Sequence, residues 1–524
     1  MSSAGGRDSS TTAAATGADM SGGGVDDTAS RCELPLPGSE PDSSGGVDTG
    51  FKFDVGAPEG ATAFPIDCTE VEQELTNLGC EFWAVDLPND YRGTLMSPPA
   101  ADQQFAVVIA NASSVVPANV SIFVGAGDVP VASEVVPIGG VFEFALEPLN
   151  IEPRESSADG LAYRIESDVP VTAYQFNPLD NQVAVYSNDA SLLLPVDALG
   201  QDYTAVTGNA ILLSMGADDP DPVNSGAFIS VVAVQDDTFV EISPLTAIIG
   251  GPAEATLNRG EVLTVVSNVS GTNSGNLSGS RVHADRPVAV FSGNVATAVP
   301  ANQSNCCADH IEHQLPPHEA WGTAYAVAPP PSPIGPEADE ALYRITGAFE
   351  DTALRYCPTA PPGAPETIGP GQTAIFQTSM AFTVEADPDK PFALTQFLQS
   401  FQALSPNQPG DPAMLVIPSL GQLQRRYSFA VPAGYAQNFV TIVTRGAPDV
   451  TIDGEPVDSD VFAPAGVARG QEHFYASISV GEGAHIIEAE VPVGITVMGF
   501  DDAVSYGYPG GSGLRIIAIP PAAG

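Results

Sequence analysis

The chain has 524 residues, 64 of them acidic and 17 basic, for a net charge of −47. Phosphate contacts need clustered Lys and Arg, so non-specific binding to nucleic acid or to an anionic lipid surface is excluded and no nucleic-acid partner is expected. With 52 Gly and 48 Pro, the punctuation suits many short strands joined by tight turns rather than long helices.

Residues 1–65 hold Ser, Thr, Gly, Ala and Asp with almost nothing to bury, and read as a disordered acidic tether. They contain no signal-peptide apolar region, and no run of eighteen apolar residues occurs anywhere. A tether of this composition normally follows an envelope anchor. The expectation is therefore an extracellular or cell-surface protein, with no transmembrane segment and a possible lipid anchor upstream of the recorded start. So acidic a surface also suits a saline medium, in which ions screen self-repulsion. Next, Cys68 to Cys80 (CTEVEQELTNLGC) reads as one short amphipathic helix between two cysteines.

From there one phrase recurs four times: DVPVTAYQF to Phe176, DRPVAVFSG to Gly293, DKPFALTQF to Phe397 and EVPVGITVMGF to Phe500. Each sets an acid before a proline and then a β-branched or aromatic run that reads as a strand. Strands ending at Pro88, Pro195, Pro316, Pro418 and Pro520 recur in step, as do a Gly/Tyr phrase (GQDYTAV, GTAYAVA, RRYSFAV) and apparent hairpins such as FISVVAVQDDTFVEI. The fold expected is all-β, with four tandem units of roughly 105 residues, each β-sandwich-like. The units are 66–190 (with the Cys-flanked helix), 191–312, 313–412 and 413–524. A closed propeller-like ring is the alternative, because RIIAIP near the C-terminus repeats the AVDLP phrase of the first unit and could complete it. The repeated phrase reads as the closing strand of each unit, with its proline where an edge begins.

Six cysteines (Cys32, Cys68, Cys80, Cys306, Cys307 and Cys357) lie in loops or beside segment ends, as disulfides of an oxidising compartment do. Cys68 is expected to pair with Cys80 or Cys32, leaving Cys306, Cys307 and Cys357 for the second and third units.

One place looks like chemistry. Asn305 to His318 gathers Cys306, Cys307, Asp309, His310, Glu312, His313 and His318. Asp309, His310, His313 and His318 are thus the candidate metal ligands, although no CxxC or HExxH spacing is present and HIEHQLP overlays a strand. A zinc site, a disulfide loop or neither remains open. Calcium is weighed at the acidic loops 217–226, 452–460 and 499–502, none of which has the ligand spacing of a calcium loop. No cofactor is otherwise expected. Among Trp83, Trp321, Tyr325, Tyr427, Tyr506 and Tyr508, the tryptophans read as packing residues. SYGYPGG (Ser505 to Gly511) reads as an exposed loop, making Tyr506, Tyr508, Asp501 and Asp502 the candidate binding residues. No nucleophile elbow, Walker loop or dinucleotide fingerprint occurs.

The succession CEFWAVDLPN, FAVVIANAS, DVPVTAYQFNPL, YSNDASLLLP, RPVAVFSGN, CADHIEHQLPP, GDPAMLVIP and SYGYPGG resembles the IgGFc-binding protein N-terminal domain family, especially its stand-alone bacterial, myxobacterial-type versions. The resemblance covers residues 80–520. It implies a non-enzymatic, extracellular or surface-tethered binding or adhesion protein whose ligand is a protein or a glycan. The residues leave two other readings: a structural envelope or matrix component bridged by divalent cations, and a metal-dependent enzyme centred on Asp309–His318.

Overall fold

Each repeat of the computed structural model is built around one long strand or, in the third repeat, two strands in succession that take its place. The structure describes Cys32 and residues 64–92, 99–149, 155–179, 187–213, 223–269, 274–301, 308–401, 403–405, 408–446, 448–514 and 517. Apart from the helix Cys68–Glu74, capped by the Asp67 side chain on Thr69 N–H, and short 3₁₀ turns, the named elements are strands.

The long strands are Tyr163–Asn177, Arg281–Thr297 and Gly483–Asp501, and in the third repeat the pair Phe382–Glu385 and Phe392–Phe397 takes the same place. The N-terminal half of each pairs with an opening strand (Gly79–Ala84, Gly200–Thr204, Ala324–Val327, Gln424–Val431) and, on its other edge, with Ala118–Val124, Thr238–Ser243, Arg355–Cys357 or Val450–Ile452. The C-terminal half pairs with an inner strand (Phe105–Ala110, Ala227–Ala233, Ala341–Gly347, Gln437–Arg445) and with a closing strand (Asp189–Leu192, Asp309–Gln314, Met414–Val416, Val504–Pro509). One strand therefore serves two sheets. The apolar run FISVVAVQDDTFVEI, expected as a hairpin, is divided accordingly: its two strands pair with opposite halves of Arg281–Thr297 and do not pair with each other.

The repeated acid and proline mark where the long strand changes sheets, rather than the start of a closing edge strand. Glu166 faces Glu81 and Val171 faces Gly79, so the residues between them, Asp168 and Pro170 included, bulge out of the ladder. The same slip separates His283 from Val288 and Glu488 from Val493. A bulge needs no donor from proline. The acid satisfies a neighbour instead: Asp168 accepts from Asn119 N–H at 2.8 Å and Asp285 from Phe239 N–H at 2.9 Å.

The proline-terminated strands close the sheets that precede them. They meet at the centre in a cycle, in which Asp189–Leu192 touches Asp309–Gln314, which touches Met414–Val416, then Val504–Pro509, then Asp189–Leu192 again. Between neighbouring repeats a glycine permits close approach: a Cβ on Gly79 would sit 2.2 Å from Pro195 Cβ, one on Gly200 2.5 Å from Pro317 Cβ, and one on Gly322 2.1 Å from Ser419 Cβ. The cycle shuts where Thr76 bridges Gly513, Asn77 N–H donates to Ser512 O and Leu514 N–H to Leu75 O. The four repeats are thus an all-β closed ring.

Candidate binding sites

The cluster singled out in the sequence lies in the hub of this ring. Asp309–Gln314 is a closing strand with every residue buried. A strand has period two, so Asp309 and His313 fall on one face while His310 and Glu312 fall on the other. Nε2 of His310 lies 3.3 Å from Glu312 Oε2, and its ring stacks on Phe228 at 5.8 Å. Glu312 accepts from Gln175 Nε2 at 2.9 Å. His318 sits beyond the strand, with Nε2 2.8 Å from Thr204 Oγ1. Burial pushes His310 and His313 down to about 3 and His318 to about 4, and raises Asp309 and Glu312 well above the usual carboxylate range. Among the described residues no group of three or more His, Cys, Asp or Glu side chains is placed to hold a metal ion. Asp309, His310 and His313 are therefore buried hub residues split between opposite faces of one strand, and His318 lies apart from them. Cys306 and Cys307 lie outside the described residues.

Asp189 shows what the hub carboxylates do. Its Oδ2 accepts from Glu312 N–H and Met414 N–H, both at 3.1 Å, so one side chain ties three repeats together. Gln314 Oε1 likewise accepts from Leu194 N–H at 2.8 Å, and Ser505 Oγ from Asp411 N–H at 2.9 Å.

Tyr506 and Tyr508 are not on an exposed loop. They belong to the closing strand Val504–Pro509 and have no solvent exposure. Tyr506 donates to Asn438 Oδ1 at 2.9 Å, Tyr508 donates to Ala430 O, and Tyr174 lies 4.7 Å from the Tyr508 ring. The glycines that suggested a turn are packing positions: a Cβ on Gly507 would meet Leu415 Cδ1 at 2.6 Å. Asp501 and Asp502 do form the preceding hairpin turn, where Asp501 accepts from Asp502 N–H at 2.7 Å and Ala436 N–H at 3.2 Å. In the loop 452–460, Asp453 accepts from Ile486 N–H at 2.8 Å and Asp458 from Asp460 N–H at 3.0 Å, so these carboxylates are engaged with the chain's own amides.

Among the described residues two disulfides are present, Cys68–Cys80 and Cys32–Cys357. The second corrects the expectation that Cys357 pairs within the second and third repeats. It joins an N-terminal cysteine to the third repeat across a separation of 325 residues.

A roomier opening lies elsewhere among the described residues. A cleft of about 330 Å³ separates the second and third repeats, with Val299, Leu342 and Phe397 among its apolar walls and Asn209, Gln377 and Arg344 among its polar ones. A second cavity, beside His313 and Trp321, has only about 30 Å³. Arg344 was not among the residues singled out by sequence. Its signal was the one charged residue in the strand ALYRITG, on the face opposite the Tyr343 and Ile345 core.

The class these features define is an all-β ring with solvent-facing clefts around a polar hub that is sealed from water. A sequence model of the family described as "IgGFc binding protein" matches residues 189–499, more than half of the chain, and the protein belongs to that family. It is 25% identical over 342 residues to the IgGFc-binding protein of Homo sapiens, a match covering 63% of this chain and 6% of the human protein. Among solved structures, an anti-sigma factor domain-containing protein from Clostridium clariflavum aligns at 8% identity over 77% of this chain and 99% of its own, with a TM-score of 0.10, a value that carries no argument about fold. No helix among the described residues is long and apolar enough to cross a membrane.

Proposed function

We propose that the protein is a non-enzymatic binding protein of the cell exterior or surface, an adhesion module that engages a protein or glycan through the loops and clefts of its ring. One observation carries this reading. The side chains that the sequence gathers as candidate chemistry, His310, Glu312, His313 and Asp309, are buried in the hub, whereas a cleft of about 330 Å³ opens between repeats. Membership of a binding family and two disulfides support it. The test is an array of glycans and proteins, IgG Fc among them, screened with and without calcium. Saturable binding to a defined ligand is the expected result. Calcium-dependent self-association without a ligand would instead favour a matrix role and sink this reading.

A further inference from the structure

Arg344 is only 5% exposed and has no carboxylate partner among the described residues, although the chain carries 64 acidic residues. A buried guanidinium left without an anion is costly, and a protein retains one where a ligand completes it. Its Nη1 donates to Thr207 O and to Ser278 Oγ across the repeat boundary, and its guanidinium lies 5.3 Å from the Phe397 ring. These contacts fix the plane of the group. Nε is buried without a hydrogen-bond partner, and Nη2 makes none among the described residues. The free donors are therefore the Nε–Nη2 edge, the pair that takes a carboxylate side-on with two parallel hydrogen bonds. Burial pulls the guanidinium down to about 10, which leaves it charged at neutral pH.

The surroundings add the rest of a site. Arg344 pairs with Ile375 on one side and Thr395 on the other in the centre of a sheet, so its backbone is fixed. Leu342 and Phe397 offer an apolar floor within the cluster of Val206, Val299, Ile311 and Met414. Ile375, 54% exposed, stands at the rim. The volume is that of a small-molecule pocket.

We propose that this cleft binds the carboxylate of a small organic acid, gripped side-on by the Nε–Nη2 edge of Arg344 while the body of the acid lies over Leu342 and Phe397. The proposal rests on the reading of the chain as a binding protein and names the ligand chemistry of one cleft. The acid group could come from an apolar acid or from a sugar acid, and two probes separate these. Titration calorimetry on the full chain would use 3-phenylpropionate, glucuronate and the amide of the first. The expected result is saturable one-to-one binding of at least one acid, with 3-phenylpropionamide weaker than its acid by about tenfold or more, the loss of a charge-assisted pair. Arg344→Lys keeps the charge but not the fork, and should weaken the acid by about tenfold. Because Arg344 also joins two repeats, Ile375→Trp is the second variant. At the rim it should block the acid and leave the melting temperature unchanged. Neither acid binding at millimolar concentration, the acid and its amide binding alike, or Ile375→Trp binding as the parent does would each overturn the proposal. An array ligand found despite that failure would leave the binding reading standing.

Discussion

The hydroxyl of Tyr203 donates to the carbonyl of Val288 at 2.7 Å and accepts from the amide of Gly200 at 2.8 Å. Val288 follows the proline of the repeated phrase, and the same bond recurs from Tyr325 to Phe392 O and from Tyr427 to Val493 O. The Gly/Tyr phrase and the acid–proline phrase are thus two halves of one lock, which pins the opening strand to the point where the long strand changes sheets. In the first repeat Phe82 takes the tyrosine's place, buried but without a hydroxyl.

Removing that hydroxyl tests the lock. Tyr203→Phe keeps the ring and leaves the Val288 carbonyl and the Gly200 amide without their shared partner, which should cost about 1–3 kcal/mol. Denaturant unfolding measures it, and the protected amides of Gly200–Thr204 should exchange faster. Equal midpoints for the variant and the parent would show that the bond contributes nothing.

Cysteine pairing gives a second expectation. Non-reducing peptide mapping should recover Cys32 linked to Cys357 and Cys68 linked to Cys80. The latter closes a short loop between the helix and the first opening strand, so a Cys68→Ser, Cys80→Ser double variant should lose about 3 kcal/mol on the loop-entropy argument. Recovery of Cys357 on a peptide with Cys306 or Cys307 would contradict the first pairing.

The fold class and the repeats were legible because each is written in local pattern: β-branched runs, glycine before an aromatic, an acid before a proline. What the phrases do was not legible. Pro170, Pro287 and Pro492 read as strand starts, since nothing local to a proline distinguishes an edge from a mid-strand bulge that spares its missing donor. The Asp309–His318 cluster misled for a related reason. Four metal-preferring residue types in one short segment look like a site until the strand period sends them to opposite faces, and their partners, Gln175, Asp189 and Thr204, lie more than a hundred residues away in sequence. Tyr506 and Tyr508 were read as exposed because glycine signals a turn, whereas Gly507 and Gly510 admit Leu415 and Ile495 side chains at close range. Arg344 escaped because one charge in a strand acquires meaning only when the next repeat is placed over it.

The buried imidazoles predict a pH dependence. His313 is held near 3 by burial, against about 6.5 in an unfolded chain. The unfolded state therefore binds more protons between these values, so the stability this residue contributes is whole above about 6.5 and is lost as pH falls toward 3. Asp189, Glu312, Asp309 and Asp411, raised by burial, run the other way and take up protons in the folded state. A single substitution isolates the histidine. Relative to its cost at pH 8, His313→Gln should gain about 2 kcal/mol on the parent by pH 5, the work of charging one imidazole over that range. Parallel stability profiles for the two proteins would refute a neutral His313.

Asn77 is the staple that decides whether the ring behaves as one body. It is 4% exposed. Its Oδ1 accepts from Ser512 N–H and from Gln424 Nε2, both at 3.0 Å, and its Nδ2 donates to Thr172 Oγ1 at 3.3 Å, so one side chain joins the last repeat to the first. Asn77→Ala leaves a buried amide unpaired and should cost about 1–3 kcal/mol. Where the loss appears matters more than its size. If the repeats were only strung in a row, nothing in the mid-chain hub would respond to a change near the N-terminus. In the closed cycle, opening the seam frees both Gly79–Ala84 and Val504–Pro509, and through the contacts of Val504–Pro509 with Met414–Val416 it reaches the third repeat. Hydrogen exchange of the variant should therefore rise in the first and last repeats together, with a smaller rise at Met414–Val416. Acceleration confined to residues near Asn77 would show that closure at this seam does not couple the ring.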